Sequence, residues 1–65
     1  MKKVIAVKKP IYVTAVQLDK PTKIHTLEGT MSANKGDWLL TGIQGEQWAV
    51  KKDIFNQTYQ IIKQI

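Results

Sequence analysis

Among the 65 residues there is no cysteine and no arginine, and histidine and serine occur once each, as His25 and Ser32. The missing cysteine rules out a disulfide staple and thiolate metal sites. That exclusion matters because a chain this short buries only about 60% of the surface its unfolded form exposes. What remains to stabilise it is a tight core or self-association, so a homodimer is one expected route. No apolar run approaches the roughly 20 residues that cross a bilayer. Met1-Lys2-Lys3 and Val4–Val7 imitate the start of a signal peptide, but the apolar run ends after four residues at Lys8-Lys9-Pro10. A signal peptide needs an apolar stretch of about 7–15. The chain therefore reads as soluble and cytoplasmic, with no membrane partner.

Without arginine, all ten basic residues are lysines, set against five acidic ones for a net charge of +5. Lysine is a point charge, whereas the arginine fork is what reads guanine edges and clamps phosphates. Sequence-specific base readout is thus disfavoured, while nonspecific attraction to a polyanion is allowed. The lysines form the pairs Lys2-Lys3, Lys8-Lys9 and Lys51-Lys52, with Lys20, Lys23, Lys35 and Lys63 dispersed.

What is present is a series of short strand-like runs broken by turn residues. Val4–Val7 is apolar and β-branched, and Pro10 separates it from Ile11–Leu18, a second run of strand formers with no helical period. Asp19-Lys20-Pro21-Thr22 is a turn. Lys23–Leu27 and Thr30–Ala33 read as strands around Glu28-Gly29, and Asn34-Lys35-Gly36-Asp37 is a further turn cluster, in which the Asp37 side chain closes the turn. The expected fold class is mainly β in one domain spanning residues 1–65, either a small partly open barrel or an antiparallel sheet, with one short helical turn.

Trp38–Ile43 and Glu46–Val50 flank Gln44-Gly45, which reads as a two-residue hairpin loop. That loop pairs Leu39 with Val50 and Thr41 with Trp48. It points the two tryptophans to opposite faces and sets Trp38, Leu40, Ala49 and Lys51 on the outward one. Beyond Lys52, the spacing of Ile54, Phe55, Thr58, Tyr59, Ile61 and Ile62 suits a helix with Asp53 as its N-cap, while Thr58–Ile62 also has strand character.

The residues from Gly36-Asp37-Trp38 through Gly42-Ile43-Gln44-Gly45-Glu46 to Lys51-Lys52-Asp53-Ile54-Phe55-Asn56-Gln57-Thr58-Tyr59 resemble a family of small phage and prophage proteins, PGDYL-like. That family is marked by a Gly-Asp-aromatic motif, a Gly-x-x-Gly-Glu hairpin and Lys-x-Asp-Ile-Phe-x-x-Thr-Tyr. The similarity runs from about Ile24 to Gln60, over half the chain. It departs at Trp48-Ala49-Val50-Lys51-Lys52, where members often carry Tyr-Pro-Cys-Lys-Pro, and at Asp19–Lys23, where many carry a helical insertion. The resemblance implies a phage or prophage origin in a bacterial host and a β-rich fold. It also implies that Asp53-Ile54-Phe55 is a tight turn delivering Tyr59 into a closing strand. It implies no catalytic residue, because no activity is established for the family.

The residues themselves offer little chemistry. Nucleophilic catalysis needs a base oriented beside a nucleophile, and His25 with Ser32 is the sole pairing of that kind, across the Glu28-Gly29 turn. His25 and Glu28 are three apart, on opposite faces of a strand, so they cannot share a metal ion. Gly36, Gly42 and Gly45 lack the Gly-Lys-Ser/Thr of a phosphate loop and suit turns instead. No enzyme, metal or cofactor is expected. The expected function is an accessory binding protein that engages a host or phage protein through Trp38, Leu40, Ala49 and Lys51. An exposed tryptophan is a frequent interface anchor, so Trp38→Ala is expected to abolish binding and spare folding. The alternative is a nonspecific DNA or RNA binder that uses Lys2, Lys3, Lys8, Lys9, Lys51 and Lys52.

Overall fold

Clusters of glycine, proline, asparagine and aspartate mark the points at which the chain reverses, and the computed structural model, which describes all 65 residues, shows five short strands between them. In order these are β1 (Thr14–Gln17), β2 (Thr22–Thr26), β3 (Gly29–Ala33), β4 (Trp38–Thr41) and β5 (Gln47–Val50), followed by helix α1 (Lys52–Thr58). They form two antiparallel sheets, one of three strands in the order β1-β4-β5 and one of two strands, β2-β3. The fold is mainly β with open sheets; no closed barrel forms. Strand β2 lies against β5, joining the two sheets.

The turn between β3 and β4 is a four-residue reversal in which the Asp37 amide donates to the Asn34 carbonyl at 3.1 Å. Gly36 occupies the third position with φ +93°, a conformation that side chains with a Cβ resist. The Asp37 carboxylate completes this turn, as expected, by accepting the Asn34 N–H at 3.0 Å.

The β4–β5 hairpin differs from the two-residue reading. Gly42 N–H donates to the Glu46 carbonyl at 2.8 Å and Gly45 N–H to the Gly42 carbonyl at 3.0 Å, so Ile43, Gln44 and Gly45 make a three-residue loop. Gly45 takes the left-handed position at φ +82° that such loops require. One extra loop residue slips the register by one, and a one-residue slip moves side chains to the other face. The observed partners are Trp38 with Val50, Leu39 with Ala49, Leu40 with Trp48 and Thr41 with Gln47. Both tryptophans therefore share the inner face with Leu40 and Val50, instead of pointing apart. Strand β1 adds Ala15, opposite Leu40, to that face. The outer face carries Thr14, Val16, Leu39, Thr41, Gln47 and Ala49.

Four residues are buried: Ile24, Ala33, Leu40 and Phe55, one each from β2, β3, β4 and α1. Phe55 stacks on Trp38 with ring centroids 4.2 Å apart and planes 13° from parallel. Tyr59, one helical turn on, stacks on the other side of Phe55 at 5.1 Å. A helix of seven residues is too short to persist alone, and this column of rings supplies its attachment to the sheet.

Two expected strands are missing. Residues 1–13 lie outside any strand, so Val4–Val7 does not pair and the Ile11–Leu18 run is realised only as Thr14–Gln17. Strand β4 ends at Thr41, opposite Thr14, and the chain turns away from Gly42, so no strand lies beside Ile11–Val13. The helical turn near Asp53 is present, but it continues to Thr58 and no closing strand follows; Tyr59 is the helix C-cap. Lys51, not Asp53, occupies the N-cap position.

A domain of this length has a total stability of about 3–10 kcal/mol. Deleting the Trp38 ring from the column is expected to cost about 3 kcal/mol or more, so Trp38→Ala removes a large part of that stability and melts at a markedly lower temperature. Trp38→Phe keeps a stacking partner for Phe55 and is expected to retain a cooperative transition. Thermal unfolding followed by far-UV circular dichroism on the two variants checks the difference.

Candidate functional site

The four residues expected to share an outward face do not share one. Trp38 and Leu40 are on the inner face, where Leu40 has no exposed surface at all. Ala49 is on the outer face, half-buried opposite Leu39, and Lys51 is exposed at the start of α1. The cause is the three-residue loop described above. A Gly-Glu pair after two free positions was the sequence signal for it, since glycine at the last loop position accepts the positive φ. Trp38 is thus a core residue, and its indole Nε1 is buried without a protein acceptor.

The six lysines are all exposed but fall into two places. Lys2, Lys3, Lys8 and Lys9 are on the N-terminal arm. Lys8 folds back on Tyr59, its ammonium 5.0 Å from the ring centre and 3.0 Å from the hydroxyl, to which it donates. This contact puts Lys8 at the C-terminal end of α1. Lys51 and Lys52 are at the other end, about 10 Å away for a helix of this length. The structure therefore joins Lys51 to Lys52 and Lys8 to Lys9 without merging the two pairs into one groove.

Around the first turn of α1, Asn34, Asp37, Lys51, Lys52, Asp53 and Asn56 wall a shallow polar depression of about 360 Å³. Asp37 is its structural centre. One carboxylate oxygen takes the Asn34 N–H within the turn, and the other accepts the Lys52 N–H at 3.2 Å. The helix has no side-chain cap of its own at Lys51, so Asp37 provides the acceptor from 15 residues away in sequence. With both oxygens engaged by backbone donors, Asp37 acts as a clamp between turn and helix.

His25 is opposite Thr30, with Nδ1 3.1 Å from the threonine hydroxyl, and Ser32 is opposite Lys23. No cluster of three or more His, Cys, Asp or Glu side chains forms. No helix is long and apolar enough to cross a membrane.

The most prominent surface feature is apolar. Val4, Ile5, Val7, Ile11 and Tyr12 are exposed on the N-terminal arm, and Ile61, Ile62 and Ile65 are exposed after the helix. On the sheet, Val16 is 56% exposed at the margin of the outer face. The total accessible surface is 6299 Å², against about 4,200 Å² for a compact monomer of 7.4 kDa. The radius of gyration, 13.4 Å, likewise exceeds the roughly 10.7 Å of a compact 65-residue domain.

The chain matches no family model, no curated protein and no solved structure.

Removing the Asp37 carboxylate releases the Lys52 and Asn34 amides together. Losing a cap of this kind costs about 1–2 kcal/mol, which is a fall of roughly 4–16 °C in Tm for a domain of this size. Asp37→Ala is expected to show that loss in a thermal melt, and Asp37→Asn, which keeps one carbonyl acceptor for one of the two amides, to lose less than Asp37→Ala.

Proposed function

We propose that this protein is a small non-catalytic binding module, an accessory factor of the phage or prophage kind, that engages a host or phage protein. The observation that carries the reading is the surplus of exposed surface, about 2,100 Å² beyond a compact chain of this mass, with apolar side chains prominent in it. A stable protein–protein interface needs about 800 Å² from each partner, so the surplus is ample. The contact surface consists of the outer face around Val16 and Leu39 and the apolar positions of the N-terminal arm, in place of the Trp38 face. The resemblance of Gly36–Tyr59 to small phage proteins supports the biological setting.

A second reading rests on the arm itself. Lys2, Lys3, Lys8 and Lys9 alternate with apolar residues ahead of Tyr12, which is 77% exposed. Lysines beside an exposed aromatic suit a nonspecific nucleic-acid contact, with Lys51 and Lys52 as a separate pair at the far end of α1.

Two measurements separate these readings. For protein binding, the wild type is compared with the arm variant Ile5→Asp/Val7→Asp in affinity capture quantified by mass spectrometry. A partner retained by the wild type and lost from the variant supports the reading, and equal retention by both overturns it. For nucleic-acid binding, anisotropy of labelled random duplex DNA is read at 50 and 200 mM salt. Four phosphate contacts predict a loss of about 100-fold in affinity across that range, and no binding at 50 mM removes the second reading.

A further inference from the structure

Strand β1 is the outer edge of its sheet, and its hydrogen-bonding groups divide cleanly between the two sides. Leu18 N–H donates to the Asp37 carbonyl at 2.8 Å, which makes Leu18 and Asp37 a bonded pair. In an antiparallel ladder bonded and non-bonded pairs alternate. Thr14 and Val16 therefore direct their amides inward to Thr41 and Leu39. Val13, Ala15 and Gln17 direct theirs outward, beyond the sheet.

Natural edges of this kind are usually guarded by lysine, proline, a bulge or a covering loop. None of the residue guards is present: Ile11–Leu18 is eight residues without a charge or a proline. Lys9 and Pro10 stop just short of it and Asp19 follows it. The run is rich in strand formers, yet its first three residues run past the end of β4 and pair with no strand. The overhang and the Val16 margin also contribute to the surplus of exposed surface.

We propose that a second copy of this chain covers the β1 edge, by antiparallel pairing of Val13–Gln17 with the same segment of the other copy. The inference goes beyond the binding reading above and stands apart from it. A two-fold axis through Ala15 pairs each Val13 with Gln17 of the second copy and joins two three-stranded sheets into one of six strands. Such a contact is self-complementary, as a two-fold interface must be, because identical outward donors and acceptors meet in opposite directions. It also gives the overhang a neighbour, since Tyr12 then falls beside Leu18 of the second copy. Val16 falls beside Thr14 of the second copy on the outer face. Val13, Ala15 and Gln17 each bring an outward N–H and an outward C=O to the pairing, so each copy satisfies groups that the other's sheet leaves open.

The test is sedimentation equilibrium on the full chain from about 1 to 100 μM, combined with amide hydrogen exchange. The expected mass is twice 7.4 kDa, with the Val13, Ala15 and Gln17 amides protected in a concentration-dependent way. Val16→Lys places a charge at the margin of the pairing edge without touching the inner face. It is expected to return the mass to a single chain and to abolish protection at those three amides. The protection of the Thr14 and Val16-site amides, which face β4, is expected to persist and to show that the variant is folded. A wild-type mass of one chain at 100 μM overturns the proposal. So does a dimer in which Ala15 and Gln17 exchange freely, or one that Val16→Lys leaves intact. A single-chain mass together with selective capture of another protein overturns the pairing alone and leaves the binding reading standing.

Discussion

The stack of Trp38, Phe55 and Tyr59 is the contact on which this small fold depends. A seven-residue helix whose own N-cap residue, Lys51, offers no side-chain acceptor contributes little on its own, and the buried core comprises four side chains. Parallel-displaced aromatic pairs add about 0.5–1.5 kcal/mol each beyond the area they bury. Two consecutive pairs therefore supply a sizeable part of a total of about 3–10 kcal/mol. The column also sets positions. It holds α1 across the inner face of the β1-β4-β5 sheet, and Lys8 on the far side of Tyr59 brings the N-terminal arm to the C-terminal end of the helix.

Asp37 works with that column from the opposite end of the helix. It sits immediately before Trp38, so the residue that clamps the Asn34 turn and the Lys52 amide is chain-adjacent to the ring that Phe55 stacks on. The Gly36-Asp37-Trp38 segment thus carries three structural duties in succession: a positive-φ turn, a cap for a distant helix and the first ring of the core. This accounts in physical terms for a Gly-Asp-aromatic pattern without assigning it any chemistry.

With so much structure invested in a few contacts, much of the chain is left outside the core. The N-terminal arm, the outer sheet face and the residues after Tyr59 present apolar side chains to solvent, and β1 presents an uncharged edge. These features are the ones on which the association proposed above rests.

The sequence by itself determined the class of the fold and most of its turns. Composition excluded disulfides and thiolate metal sites, short β-branched runs announced strands, and Gly29, Gly36 and Gly45 marked reversals because few other residues accept their positive φ. The placement of β2, β3, β4, β5 and the helical turn after Lys51 followed from local preferences of this kind. Tertiary structure decided the rest. Whether Trp38 faced in or out hung on one loop residue, since period-2 alternation converts a one-residue slip into exchange of the two faces. Whether Val4–Val7 and Thr58–Ile62 became strands depended on neighbours, because an extended segment is a strand only when another backbone lies beside it. The Asp37 cap on Lys52 joins residues that only the folded chain brings together, so no local pattern could announce it.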